Sequence, residues 1–348
     1  LGGDKVFINP GGNSVSSRFT SSTAQLTEDD LDVIRNTRGV EEAAGVVSSS
    51  RRVNYGDESE YVSILGVPTD QSLELIKQTQ NFQTTSGRFL RSNDRFNLLV
   101  TEQLASSTFE RDVSIRSKLG VNGTDYSVVG TVEMTAGQGR MVLMEIDAAR
   151  KITGKEDQYD QMIARIQSGY EPSEVEENIR ESLRQHRGVE RNEEDFSTNT
   201  AADIVDSFQS QLSLIRAFLV GLGSISLLVG GVGIMNTMYT SVTERTQEIG
   251  VMKAVGATRR QILSIFLIES GILGLVGGLL GVLLGLAVSF AASDIISGQV
   301  GLTLQPGMSP TLVLGSMLFA SVVGMVSGYL PARKAAAMSP VEALRYDK

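Results

Sequence analysis

The chain offers few side chains able to do chemistry. Its 348 residues contain no cysteine, no tryptophan and one histidine, His186. Thiol nucleophiles, thiolate metal sites and disulfides are therefore excluded, and a single histidine does not make a zinc or iron centre. His186 stands in Leu183-Arg184-Gln185-His186-Arg187, a polar helix end where a surface histidine is favourable. The acid pairs Glu41/Glu42 and Glu176/Glu177 read as solvated faces, not as a general acid and base. Glu269 is a carboxylate at the edge of an apolar stretch, ~13 Å along a helix from Arg260. Carboxylates at such depth invite a functional reading. No second carboxylate or histidine accompanies it to form a proton relay, so a partnered or snorkelling group is expected. These residues include no Gly-x-x-x-x-Gly-Lys-Ser/Thr loop to cradle nucleotide phosphates. Asn122-Gly123-Thr124 is a glycosylation sequon, but Asn-Gly is also a strong turn signal, and the turn is preferred. No catalytic residue and no metal ligand are assigned.

One polar stretch stands out, Ser241-Val242-Thr243-Glu244-Arg245-Thr246-Gln247-Glu248-Ile249-Gly250-Val251-Met252-Lys253-Ala254-Val255-Gly256. It reads as a short amphipathic helix over about 241–256, with Gly256 as its stop. Val242, Ile249, Met252 and Val255 can share an apolar stripe, while Glu244, Arg245, Glu248 and Lys253 are polar. Such a helix either lies in the membrane interface with its charges snorkelling, or docks a partner. Pattern alone favours the first reading.

The elements around this stretch divide the chain in two. Residues 1–211 hold 22 Lys+Arg and 34 Asp+Glu, whereas residues 212–348 hold 9 and 6. The first part reads as an acidic soluble domain, which argues against nucleic-acid binding. The second contains three uncharged runs long enough to cross a bilayer: Ala217 to Thr243, Ser270 to Ser293, and an apolar core at about 311–330. Short loops rich in Lys and Arg stay in the cytoplasm. Arg245, Lys253, Arg259 and Arg260 lie between the first two spans, and Arg333, Lys334, Arg345 and Lys348 in the tail, so both segments face the cytoplasm. The 294–310 loop, carrying only Asp294, faces out, and so does the domain 1–211. An outside N-terminal domain needs a span before it, so a fourth helix preceding Leu1 is expected.

The outside domain reads as mixed α/β. Strands are expected at Val6–Asn9, Val46–Val53, Tyr61–Val67, Leu98–Thr101, Asp125–Val132 and Met141–Glu145. A helix should start after Thr27, an N-cap followed by three acids, and another should run over Glu171–His186, with Pro172 at its start and Gly188 past its end. From Ala201, Ile204, Phe208, Leu212, Ile215 and Leu219 recur at steps of four and three, a coiled-coil-like seam expected to rise from the membrane as a stalk facing a symmetry mate. In the second span Gly274, Gly277, Gly278, Gly281 and Gly285 include pairs four apart, a spacing that lets helices pack closely in lipid.

Several of these stretches resemble the MacB/FtsX superfamily of ABC permeases, of the MacB-like, type VII kind. They are Gly230-Gly231-Val232-Gly233-Ile234-Met235-Asn236-Thr237-Met238, residues 243–257, Tyr329-Leu330-Pro331-Ala332-Arg333-Lys334-Ala335-Ala336 and Ser339-Pro340-Val341-Glu342-Ala343-Leu344-Arg345. Gly87-Arg88-Phe89-Leu90 and Tyr126-Ser127-Val128-Val129-Gly130 extend the likeness into the outside domain. The resemblance implies an α-helical membrane domain joined by a helical stalk to a mixed α/β extracytoplasmic domain. It implies an extracytoplasmic domain over 1–200, with a porter-like part at 1–67 and 160–200 and an inserted subdomain at 68–159. The stalk would be 201–216 and the FtsX-like transmembrane domain 217–348. It implies a non-catalytic, multi-pass subunit of the cytoplasmic or inner membrane that works as a homodimer with an ABC ATPase. ATP and Mg would sit in that ATPase, and an extracytoplasmic adaptor or substrate protein could join. Glu244, Arg245, Glu248, Gly250, Lys253 and Gly256 would dock the ATPase, and Ile204, Phe208, Leu212 and Ile215 would form the dimer seam. The implied activity is mechanotransmission driving export of a peptide, lipid, lipoprotein or drug-like substrate. The alternative is FtsX-like signalling to an outside enzyme.

Overall fold

Val6, Phe7 and Ile8 form a short apolar run in β1 (Lys5–Pro10), and all three are buried. Because side chains alternate across a strand, Val6 and Ile8 enter one core while Phe7 enters another on the opposite face. The computed structural model describes residues 3–11, 25–134, 139–300, 307 and 309–344; Leu1, Gly2, Arg345 and Lys348 lie outside them. The chain divides into two units, Leu1–Ser210 and Gln211–Lys348.

In the first unit β1 is followed by β2 (Leu26–Thr27), α1 (Glu28–Arg35), the long β3 (Val40–Tyr55) and β4 (Glu58–Val67). Then come α2 (Leu73–Gln80), β5 (Phe82–Gly87), β6 (Asn97–Thr101), α3 (Glu102–Ser107), β7 (Lys118–Val121), β8 (Thr124–Met134) and β9 (Met141–Glu145). The unit closes with α4 (Ile146–Thr153), β10 (Gln158–Tyr159), β11 (Gln161–Ile166), α5 (Pro172–Arg187) and β12 (Phe196–Thr200). The main sheet runs β12-β1-β11-β3-β4-β9-β6-β8-β5, with β7 bridging β3 and β8. Most neighbours are antiparallel; β4–β9 and β6–β8 are parallel.

β3 joins two halves of this sheet. Its first part pairs with β11 up to Val46, and its second part pairs with β4 from Val47 to Tyr55. Val53, Val62 and Ile64 of that hairpin share a core with Leu98, Leu119, Val142 and Ala149. The hairpin at 47–67, read from sequence as belonging to the porter-like part, thus packs with the segment placed in the insert at 68–159. Covalent order hid this, because the strand changes partner without changing direction. β11 and β9, buried on both faces, supply alternate side chains to the two cores they separate.

The expected helix starts are present. Thr27 and Asp30 form a reciprocal capping box at α1, and Asp30 also receives two bonds from Arg187, at 2.6 and 3.0 Å. Burial opposes ionisation of Asp30, but the Arg187 and Thr27 hydrogen bonds outweigh it and hold its carboxyl below the usual range. α5 starts at Pro172 and ends at Gly188, whose φ of 65° only glycine adopts readily. Asn122 and Gly123, with φ of 50° and 80°, make the tight turn between β7 and β8. His186 is partly exposed, 4.0 Å from Asp30.

The two outside stretches that carried the family likeness prove to be partners. Gly87 pairs with Gly130, and the Arg88 amide donates to the Val129 carbonyl at 3.1 Å. Arg88 then binds Asp94 through both guanidinium arms, and Asp94 also accepts from Asn97 Nδ2 and the Arg91 amide. The Arg88 bonds are the main reason the Asp94 carboxyl is held down to about 2.

The second unit is helical. It takes in α6 (Ala201–Glu244) beyond the division at Ser210, α7 (Thr246–Ala254), α8 (Arg259–Val300), α9 (Pro310–Ala337) and α10 (Pro340–Leu344). α6, α8 and α9 are each long and apolar enough to cross a membrane. The Thr200–Asp203 pair starts α6 with a second reciprocal cap.

A carboxyl whose folded pKa is depressed stabilises above its unfolded pKa and loses that contribution as pH falls through the folded value. Asp94 therefore contributes fully above about pH 4 and progressively less towards pH 2. In urea unfolding of the detergent-solubilised chain followed by circular dichroism, Asp94→Asn should be less stable than the native chain at pH 7. The gap should narrow as pH falls from about 4 to 2. A gap that stays constant over that range would remove the ionised Asp94 from the account.

Candidate functional site

Helix α6 stops at Glu244 because Arg245, at φ −97° and ψ 16°, leaves helical geometry. The Thr246 hydroxyl donates to the carbonyls of Val242 and Thr243 across the break. α7 then runs to Ala254 and ends in a Schellman turn: the Gly256 amide donates to Lys253 O, and the Ala257 amide to Met252 O. Gly256 has φ +107°, so any other residue there would be strained. Thr258 and Gln261 form a capping box that starts α8 at once.

The inner face of α7 packs where the sequence stripe places it. Val242 and Ile249 are buried with Met238, Ile262, Phe266, Ala332, Ala335 and Ala336, and Met252 is partly buried against them. The 243–257 stretch and the 329–336 stretch thus meet in one cluster. Val255 departs from the expected stripe, at 85 % exposed. The helix has turned it outward, where with Val251, Ile265 and Ser264 it lines an open groove of about 700 Å³.

The six sequence-selected residues fall into two groups. Glu244 and Glu248 are exposed and make no ion pair among the described residues, and Gly256 is exposed at the turn. Gly250 is buried on the inner face, facing its own chain. Arg245 is half exposed and pairs with Glu269 of α8 at 3.3 Å, which supplies the partner that carboxylate required. Lys253 turns inward: its Nζ donates to Ala336 O at 2.6 Å and Met338 O at 2.5 Å. Lys253, expected from the resemblance to dock the ATPase with the other charges, has two backbone acceptors within its own chain. A polar residue on a short helix beside a helix C-terminus finds carbonyls before it finds solvent.

Above this cluster α8 and α9 are joined by small residues. A Cβ added at Gly274 would lie 2.3 Å from the Ala320 carbonyl oxygen, and one at Gly278 2.7 Å from the Ala320 Cβ. Gly324 meets the Ser270 carbonyl, and Gly328 the Ser270 side chain, at 2.4 Å on the same measure. Gly277, Gly281 and Gly285 have open space where a Cβ would stand, so they take no part in this seam. Sequence reading missed Ser270, Ala320, Gly324 and Gly328. Their spacing by four on two helices was the available signal.

On α6, Phe208, Leu212 and Ile215 are exposed, at 62 %, 49 % and 54 %, while Ile204 packs partly buried against the α/β core. No group of acids and histidines among the described residues could hold a metal ion.

The sequence matches two family profiles: the MacB-like periplasmic core domain over residues 2–182, and the FtsX-like permease C-terminal over residues 220–340. The chain belongs to the MacB/FtsX family of ABC transporter permeases. It is 32 % identical over 348 residues to an uncharacterized ABC transporter permease of Methanocaldococcus jannaschii, covering 99 % of this chain and 85 % of that one. To the uncharacterized permease YknZ of Bacillus subtilis it is 27 % identical, covering 88 % of that protein. It is also 30 % identical to a macrolide export ATP-binding/permease protein, MacB 2 of Aeromonas hydrophila, but spans only 52 % of that relative's length. The periplasmic region of MacB from Actinobacillus actinomycetemcomitans has the same fold, with a TM-score of 0.51 at 15 % identity, covering 60 % of this chain and 94 % of that one. The permease is thus a multi-pass membrane protein whose α/β domain lies outside.

The seam and the spare glycines should respond differently to a single methyl group. Gly274→Ala meets backbone that cannot give, and should cost about 1–3 kcal/mol. Gly281→Ala should be neutral or slightly stabilising. Thermal aggregation of both variants in detergent checks this, and equal effects would dismiss the seam.

Proposed function

We propose that the permease passes ATP-driven motion from a partner ATPase to its outside domain, and so drives export of a peptide, lipid, lipoprotein or drug-like molecule. The observation that carries this reading is the outward surface of α7. Glu248, and Glu244 at the end of α6 just before it, are exposed, and the exposed Val251 and Val255 line an open groove. Exposed carboxylates together with exposed apolar side chains suit a protein partner better than a lipid headgroup layer, which favours Lys and Arg. The nucleotide site is placed in the partner because these residues hold no phosphate loop. The macrolide export relative named above carries ATP-binding and permease functions in one longer chain, and the present chain aligns to about half of it. ATP and Mg then belong to that partner, and this chain contributes no catalytic group.

Export over signalling is supported by an outside domain whose profile match is MacB-like. A homodimer is supported by the exposed Phe208, Leu212 and Ile215 stripe on α6, for which a second copy is the natural cover. Among the docking residues we keep Glu244, Glu248 and Gly256, and add Val251 and Val255.

The test is co-purification of the tagged permease with its ATPase. Glu244→Lys combined with Val255→Asp alters two exposed side chains and should leave the fold intact while reducing recovered ATPase by at least ten-fold, the loss of about 1.4 kcal/mol or more. Full recovery from the double variant would mean that α7 is only an interfacial anchor.

A further inference from the structure

We infer that Lys253 is an internal staple: its ammonium ties the C-terminal end of α7 to the C-terminal end of α9 and so positions the surface offered to the partner. The inference rests on the coupling role proposed for α7 and assigns one of its residues a different task. The last carbonyls of a helix have no partner within it and carry partial negative charge. Ala336 O is one of these, and Met338 O lies just past the end, where the backbone turns extended at ψ 143°. Lys253 Nζ reaches both, at 2.6 and 2.5 Å. Burial and the neighbouring Arg259 lower its pKa, in keeping with an ammonium held partly away from water.

Two further contacts complete the attachment. Arg245, at the break before α7, pairs with Glu269 of α8. Ala343 of α10 is buried, and its helix packs directly on α7. α7 is therefore held at its start to α8 and at its end to α9. Those two helices are locked to each other at Gly274 and Gly324. A displacement imposed on α7 is then shared by α8 and α9. A lysine serving the partner would instead project beside Glu244 and Glu248.

The chain has no cysteine, so a spin-label pair on Ala254→Cys and Ala337→Cys, both exposed and neither among the docking residues, reports one distance. The full permease with its ATPase, in nanodiscs, should give a narrow distribution. Lys253→Met should broaden and lengthen it, Lys253→Gln should broaden it less, and Lys253→Arg, still able to donate to both carbonyls, should restore it. ATPase co-purification should survive in all three. Permease-stimulated ATP hydrolysis should fall about ten-fold in Lys253→Met, the worth of one charge-assisted hydrogen bond, and recover in Lys253→Arg. An unchanged distribution in both Lys253→Met and Lys253→Gln would overturn the staple. So would loss of the ATPase with the distance intact, which would make Lys253 a docking residue. Failure of the native chain to retain any ATPase would sink the coupling role alone, because the distance measurement still decides the staple.

Discussion

Close approach of α8 and α9 is the constraint on which the membrane unit depends. Inside a bilayer the hydrophobic effect does not favour helix on helix over helix on lipid. What remains is van der Waals contact and hydrogen bonding, and both need the backbones near each other. Ser270, Gly274 and Gly278 on one helix face Ala320, Gly324 and Gly328 on the other, with the Ser321 hydroxyl donating to the Gly271 carbonyl at 3.1 Å. Large side chains such as Leu280, Leu284, Leu314 and Leu318 point away and stay exposed. In a soluble protein that arrangement would be inverted; here lipid is the solvent for the leucines.

At the cytoplasmic end water returns, and with it the hydrophobic effect. The cluster of Met238, Val242, Ile249, Ile262 and Phe266 closes over Ala332, Ala335 and Ala336. The alanines matter because they let α7 lie low enough for Lys253 to reach the end of α9. The seam and the cluster are therefore consecutive parts of one arrangement. Small residues bring α8 and α9 together, their joined ends form a floor, and α7 rests on that floor with its charges sorted by what each can reach.

This sorting also shows how far sequence could be read. Spans, caps and stops were legible because each rests on local chemistry: charge-free runs of sufficient length, Thr27 with Asp30, Pro172 and Gly188, Gly256 after an amphipathic stretch. Strand β11 was not read from Gln161-Met162-Ile163-Ala164-Arg165-Ile166, because its buried run of three is flanked by Gln161 and Arg165 and shows neither alternation nor the longer apolar run that marked β9. The switch of β3 from β11 to β4 was invisible for a related reason: both partners are antiparallel and nothing in the strand marks the change. In the site, Glu244 and Glu248 could be placed outward from periodicity alone. Lys253 could not, since its acceptors lie more than 80 residues away along the chain and are backbone atoms.

The same argument explains why a family motif and a physical role need not coincide residue by residue. Residues 243–257 carry the likeness to other permeases as a block, which invites one function for the whole block. The structure divides it. Ile249 and Gly250 face the floor, Arg245 and Lys253 fasten the two ends, and Glu244, Glu248, Val251 and Val255 are left exposed. A surface meant to receive force must be attached as firmly as it is exposed, because a helix held only by its exposed face would move without moving anything else. Two of the four charges therefore serve the attachment, and the reading of α7 as a lever in the proposed mechanism depends on those two as much as on the pair that faces outward.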